Sequence, residues 1–181
     1  MNLKYSADYT LYNDQFSVSI SNNLIAFENV NDYQLWDKYF PFIVDSLKCL
    51  EQLRIITSIN RVGVRYASIF EQAKDFSDVI NTNITFPYTD FQPKLRLYHA
   101  DYKKDDILIQ VRISEQAKVE KEGQKPKSGI YFDLDAAMNK ELPQAIDEKL
   151  FSIIDSLHSE EKKMFFSLLK PDFIKSLNPE Y

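Results

Sequence analysis

The sequence predicts a two-layer α+β fold, in which helices pack on one face of a mostly antiparallel sheet. Several short segments alternate apolar and polar residues, as half-buried strands do. Two long segments, around Trp36 and near the C-terminus, instead carry apolar residues at helical spacing. With 181 residues the chain fits one domain, residues 1–181, with a C-terminal helical segment at 142–177.

The first part of the chain predicts three strands and a helix. Residues 9–11 and 16–20 alternate on either side of Asn13-Asp14, which predicts a hairpin. A third strand follows at 24–28. Asp32 is the predicted N-cap of the next helix, and Pro41 either kinks or splits that helix.

The rest of the chain predicts a central strand with arginines on one face and apolar residues on the other. Its centre is 59–66, where Val62, Val64 and Tyr66 alternate with Arg61, Gly63 and Arg65. The remaining predicted elements are a helical turn at 76–80, a strand at 83–86, a hairpin of 95–102 and 106–114, an exposed mobile loop at 115–128, a strand at 130–134, a helix at 142–169 with Pro143 in its first turn, and a short helix from Pro171.

Composition excludes several classes of function. A formal net charge of -5 disfavours broad binding to nucleic acid or anionic lipid. Three Gly residues are too few for Gly-rich phosphate loops, and no cofactor motif is present. Cys49, the single cysteine, cannot form an intrachain disulfide and is predicted to be a buried thiol. We find no signal region and no apolar run of membrane-spanning length, so the cytoplasm is the expected compartment.

Three short blocks carry a family resemblance. They are Tyr33-Gln34-Leu35-Trp36, the strand Arg61-Val62-Gly63-Val64-Arg65-Tyr66, and Phe132-Asp133-Leu134-Asp135 followed by Ile154-Asp155-Ser156-Leu157-His158 and Phe165. In this order and spacing they resemble a sporadically distributed bacterial family of uncharacterised function. Its members usually carry an additional N-terminal strand and helix, which implies that this chain lacks that segment. The resemblance implies a fold and a bacterial accessory context, but no activity.

Arg61, Gly63 and Arg65 form the strongest candidate site. The two arginines are about 13 Å apart along one strand face, and Gly63 leaves the backbone between them approachable. Arg112 is a further candidate on the same face. Guanidinium groups offer bidentate geometry to phosphate or carboxylate. The alternative is that the arginines pair with acidic residues of neighbouring strands, and Asp133 and Asp135 are candidates for that pairing.

The two histidines are weaker candidates. His99 alternates with Leu95 and Leu97, which predicts that it faces the interior, and it is kept as a possible ligand-binding residue. His158 follows Asp155 by three residues on a helix, so the pair is a candidate general acid/base or a helix-surface ion pair. No residue spacing predicts a metal site.

These observations lead to a non-enzymatic protein-binding or regulatory module. It would engage a protein partner through the open sheet face and the 115–128 loop, and it could form a homodimer. The resemblance implies a bacterial accessory system of the antiviral-defence or toxin–antitoxin type. The alternative is a binder of small anions or nucleotides that uses Arg61 and Arg65, and a third hypothesis is an enzyme that uses Asp155 and His158.

Overall fold

The computed structural model confirms the α+β class with antiparallel strands. It describes residues 7–30, 33–81, 94–119 and 125–177. The strands form two sheets rather than one, with three and four strands. The chain divides into two compact units, Met1–Thr57 and Ser58–Tyr181, each with one sheet and one long helix. The prediction of a single domain stays a prediction.

The smaller unit is a three-stranded meander covered by a helix. Strands β1 (Tyr9–Tyr12), β2 (Phe16–Ser21) and β3 (Leu24–Asn29) lie in that order, as the alternation predicts. Helix α1 (Trp36–Gln52) packs on one face of this sheet, where the Phe16 ring stacks on Phe42 at 4.6 Å between centroids.

Helix α1 differs from its prediction in three respects. It begins at Trp36 with Leu35 at the N-cap position, whereas the predicted cap, Asp32, lies outside the described residues. Pro41 lies inside the helix and does not split it, and a kink at this residue stays a prediction. The prediction of a buried Cys49 is wrong: the thiol is exposed, because the buried stripe of the helix runs along Ile43, Leu47 and Leu50.

The larger unit is a four-stranded antiparallel sheet with helices on one face. Its sheet order is β4-β7-β6-β5. The elements are β4 (Val62–Phe70), α2 (Phe76–Val79), β5 (Leu97–Lys104), β6 (Ile107–Val119), β7 (Lys127–Met138), α3 (Glu148–Leu168) and α4 (Pro171–Ser176).

Helix α3 covers the apolar face of this sheet, which we call the inner face. Leu157 of α3 is completely buried, as are Phe132 and Leu134 of β7. The ring of Phe165 contacts the rings of Phe132 and Phe70 at 6.1 and 6.3 Å between centroids. The opposite, outer face of the same four strands carries the predicted arginines.

The predicted loop at 115–128 is wrong for residues 115–119 and 127–128, which lie in strands; residues 125–126 are exposed and belong to no strand, and residues 120–124 lie outside the described residues. Strand β6 continues to Val119 and β7 begins at Lys127, so the two strands extend as a ribbon. The pairing register shifts between Ser114 and Ala117, where Gln116 has a φ of 53°. The segment is polar, which predicts a loop, although its backbone pairs with β7 on both sides of this bulge and forms a strand.

The C-terminal helix begins later than predicted. Helix α3 starts at Glu148 because Asp147 caps it, with the side chain accepting a hydrogen bond from the Leu150 amide at 3.0 Å. Pro143 lies before the helix rather than in its first turn. Helix α4 opens at Pro171, as predicted. The predicted strand at 83–86 lies outside the described residues.

Candidate functional site

Strand register brings the predicted ligand residues together on the outer face of the four-stranded sheet. Arg65 lies opposite Asp135, and the neighbouring row across the sheet pairs Asp133 with Arg112. His99 lies opposite Arg112 on β5, so it shares this face.

The prediction that His99 faces the interior is therefore wrong. Its ring is exposed, with Nε2 3.5 Å from Asp101 Oδ1. The neighbouring residues Tyr98 and Ala100 turn inward instead, and both are less exposed than His99. The alternation with Leu95 and Leu97 was misleading because both leucines are exposed.

We call Arg61, Arg65 and Arg112 the arginine cluster, and Asp133 bonds two of its three members. Arg65 donates to it in a bidentate arrangement, with Nε 2.7 Å from Oδ1 and Nη2 2.9 Å from Oδ2. Arg112 Nη1 approaches the same Oδ2 at 3.4 Å. The Asp133 side chain is only 6% exposed, whereas that of Arg65 is 57% exposed. A carboxylate beneath the surface thus fixes two guanidinium groups that remain accessible to solvent.

Arg61 bonds the second carboxylate, that of Asp135. Its guanidinium group fits over Gly63 because this residue has no side chain. Its Nη2 lies 2.6 and 2.8 Å from the two oxygens of Asp135. A Cβ atom at Gly63 would lie 2.6 Å from Arg61 Nη1, so the guanidinium group occupies the space over this glycine. The pairing of both arginines with acidic residues is confirmed, and their role in ligand binding stays a prediction.

The cluster is positively charged and electrostatically coupled. Three guanidinium cations, of Arg61, Arg65 and Arg112, and two carboxylates leave one net positive charge. The hydrogen bond to Asp133 is the main cause that raises the pKa of Arg65. Burial, followed by the charge of Asp133, raises the pKa of the neighbouring Tyr131, although Arg65 opposes that shift. Both shifts are upward, so Arg65 stays charged and Tyr131 stays neutral across the physiological pH range.

The candidate acid/base pair lies elsewhere, on the inner side of the sheet. His158 is buried, and its Nδ1 lies 3.3 Å from the Tyr66 hydroxyl oxygen. Burial and the charge of Lys162 lower the pKa of His158, while Asp155 opposes this shift. The imidazole is therefore neutral at pH 7. His158 does not lie on the exposed surface of the helix, and its burial against Tyr66 favours a structural role over catalysis.

Sequence reasoning missed a second polar cluster, at the start of α2. Arg96 Nη1 lies 2.9 Å from Asp75 Oδ2 and 3.3 Å from Glu115 Oε1. Glu115 is buried and accepts a hydrogen bond from the Phe76 amide at 2.7 Å. Asp75 forms a capping box with Asp78, and hydrogen bonding to the Ser77 amide lowers its pKa to about 2. These contacts hold α2 to β6, which is a structural task.

A cavity of about 370 Å³ opens between the β5–β6 turn and the second half of α3. Its wall is mainly apolar, and Glu160 at its rim bonds Lys104 and Lys163 at 3.2 and 2.8 Å. Within the described residues, no group of three His, Cys, Asp or Glu side chains could hold a metal ion. None of the described helices is long and apolar enough to cross a membrane.

Comparison with known proteins gives no relative. No protein-family model matches the chain, and neither the curated proteins nor the solved structures contain a match. The resemblance to the sporadic bacterial family therefore stays a prediction.

Proposed function

We propose that this chain is a non-enzymatic binding module that recognises an acidic surface of a protein partner with the outer face of its four-stranded sheet. The observation that supports it is the arginine cluster, in which Arg61, Arg65 and Arg112 are about half exposed while Asp133 is nearly buried. The bacterial accessory context remains part of this proposal.

Preorganisation is the physical basis of the proposal. A free arginine loses side-chain entropy when a partner immobilises it, and this loss weakens binding. Here Asp133 and Asp135 already fix the guanidinium groups, so that cost is met in the unbound protein. Arg65 uses Nε and Nη2 for Asp133 and also hydrogen-bonds Tyr131, and more than half of its side chain stays exposed to a partner.

The spread of the charges favours a protein surface over a small ion. Arg61 and Arg65 are separated by four residues along the chain, about 13 Å at the rise of a strand. Arg112 lies two strands away from Arg65, about 10 Å across the sheet. The side chains of Arg65 and Arg112 converge on one oxygen of Asp133, and from there the cluster continues along the strand to Arg61; carboxylates on a protein surface can contact such an extended row of cations.

Affinity purification with matched variants tests the proposal. Wild-type protein and Arg61→Ala/Arg65→Ala are used to capture partners from the native cell, and retained proteins are quantified. Lys163→Ala/Lys175→Ala removes two exposed cations from α3 and α4 and serves as the control. We expect a partner that the wild type and the control retain and that the arginine variant loses. Equal retention by the arginine variant would refute a role for this face.

Gly63→Ala sharpens the same test because it leaves every charge in place. The new Cβ displaces the Arg61 guanidinium group from its position over Gly63. We expect weaker retention of the partner, lowered in the direction of Arg61→Ala. Retention at the wild-type level would show that the position of Arg61 does not matter.

A small anion is the second candidate ligand, supported by the bidentate arginine geometry. A ligand that binds only the folded state raises the melting temperature with dose. Inorganic phosphate and ATP are suitable probes in a thermal-shift titration. A dose-dependent increase that Arg61→Ala/Arg65→Ala abolishes would favour this candidate over an acidic protein.

A further inference from the structure

We infer that the outer edge of β1 is a dimerisation site, at which β1 pairs with β1 of a second copy in antiparallel orientation. Strand β1 is the end strand of the three-stranded sheet, and no described strand pairs with its other side. Such an edge offers a row of open backbone donors and acceptors, for which another strand is the complementary partner.

The hydrogen-bond pattern identifies which backbone groups are open. The Asn13 amide donates to the Phe16 carbonyl at 2.9 Å, so these opposite residues form a hydrogen-bonded pair. Opposite pairs alternate in antiparallel strands, so Leu11 is bonded to β2 and Thr10 and Tyr12 are not. The N–H and C=O groups of Thr10 and Tyr12 therefore point away from β2, toward the open edge.

The side chains of β1 are apolar and exposed. Tyr9, Leu11 and Tyr12 are 73%, 67% and 80% exposed. Leu11 lies opposite Val18, on the sheet face that α1 covers, so it continues the apolar core beyond the helix. A second strand at this edge would remove these side chains from water.

The other sheet edges of the described residues carry charges that discourage pairing. Strand β5 carries Asp101, Lys103 and Lys104, and β3 carries Glu28. Strand β4 carries Arg65. Charged residues on an edge strand are a common protection against strand addition. Strand β1 has no charge and no proline from Tyr9 to Tyr12, so it lacks that protection.

Two-fold symmetry and the open backbone groups of Thr10 and Tyr12 together favour one register for the pair. A two-fold axis between antiparallel edges keeps each side chain on its own face, so it must pass beside a residue rather than between two. An axis beside Leu11 pairs Thr10 of one copy with Tyr12 of the other, which satisfies all the open groups of these residues. It also places Leu11 against Leu11 in a close pair without hydrogen bonds. This self-complementarity is the reason for assigning a second copy as the occupant.

Matched lysine substitutions test the interface. Leu11→Lys places two like charges opposite each other across the axis, and Leu97→Lys makes the same change at an exposed leucine of β5. Analytical ultracentrifugation across a concentration series gives the dimer dissociation constant. We expect wild type and Leu97→Lys to dimerise alike and Leu11→Lys to weaken the dimer more than about tenfold. A wild-type monomer at the highest soluble concentration, or an unchanged dimer in Leu11→Lys, overturns the inference.

A cysteine pair tests the register itself. In a Cys49→Ser background, Leu11→Cys is expected to form an intermolecular disulfide under mild oxidation, because the two Cβ atoms are close in such a pair. Tyr9→Cys in the same background should not, since the two copies of that residue are about 13 Å apart in this register. Equal crosslinking of both variants overturns the register, and absence of crosslinking in both overturns the strand pair.

Discussion

Replacement of Glu161 is expected to change how stability depends on pH. This residue lies on the buried side of α3 and is 3% exposed. Its Oε1 atom has no hydrogen-bond partner among the described residues. Burial raises its pKa from 4.5 to about 8. The folded protein therefore holds a proton on Glu161 over a pH range in which the unfolded chain has lost it.

The sign and size of the effect follow from this difference in pKa. Below pH 4.5 both states are protonated, and Glu161 contributes no pH dependence. Between pH 4.5 and about 8 the free energy of unfolding falls by about 1.4 kcal/mol per pH unit. The whole interval amounts to about 5 kcal/mol as an upper bound. Relaxation of α3 and entry of water reduce it, and we expect a loss of about 2 to 4 kcal/mol.

Urea unfolding of Glu161→Gln at pH about 5, 7 and 9 measures this effect. The amide cannot ionise, so the stability difference from wild type should move in favour of the variant as pH rises. Its own burial cost is the same at every pH and does not affect that slope. Glu160→Gln is the control, since the adjacent carboxylate bonds Lys104 and Lys163 and is less buried. A difference between Glu161→Gln and wild type that is constant with pH would contradict the argument.

Three further changes are expected to affect stability in defined ways, each measurable by urea unfolding. Gly129→Ala should lower the free energy of unfolding by about 2 to 4 kcal/mol. The new Cβ would lie 2.7 Å from the carbonyl carbon of Phe70, and this backbone atom cannot move aside as a side chain can. A loss below about 0.5 kcal/mol contradicts this prediction. Asp75→Ala should cost about 1 kcal/mol through loss of the α2 cap; an unchanged stability means that the cap is dispensable. The pKa of His158 is lowered in the folded state, so the unfolded state binds a proton first and the free energy of unfolding falls as pH drops below about 6.5. His158→Gln should reduce this loss of stability. An equal loss in the variant would mean that other groups cause it.

The sequence predicted the faces of β4 well because period-two alternation is a local property. Val62 and Val64 are buried, and Arg61 and Arg65 are exposed, as the alternation requires. Asp133 was a predicted partner on the same grounds. What alternation cannot supply is register: Arg65 lies opposite Asp135 yet bonds the diagonal Asp133. That choice depends on side-chain reach across the sheet.

The errors of prediction share a physical origin in contacts between distant segments. Glu115 appeared to begin a polar loop, but the Phe76 amide and Arg96 satisfy its carboxylate in the interior. Pairing of β6 with β7 then continues past Glu115, with a register shift between Ser114 and Ala117. Cys49 was assigned to the core from helical spacing, although only part of the apolar stripe in α1 is covered. The spacing of residues along the chain does not show which distant group will bond a side chain. It also does not show which apolar residues of a helix another segment will cover.

Stability alone gives little reason for the arginine cluster. Exposed ion pairs contribute roughly 0 to 1 kcal/mol, and for buried pairs the cost of removing the charges from water offsets much of their attraction, so apolar side chains at the same sheet positions could stabilise the fold as well. What the cluster provides is orientation, since Asp133 and Asp135 fix three guanidinium groups that solvent can still reach.

One substitution can distinguish a role of the arginine cluster in recognition from a role in the stability of the fold. Asp133→Asn keeps the volume and some hydrogen bonding but removes the charge that holds Arg65 and Arg112. If the cluster serves recognition, partner retention should fall several-fold while the urea midpoint shifts little, because the arginines keep their charges and lose their alignment. If it serves the fold, the midpoint should fall and retention by the protein that remains folded should be unchanged. Measuring both quantities on one variant therefore separates recognition from a merely structural ion-pair network.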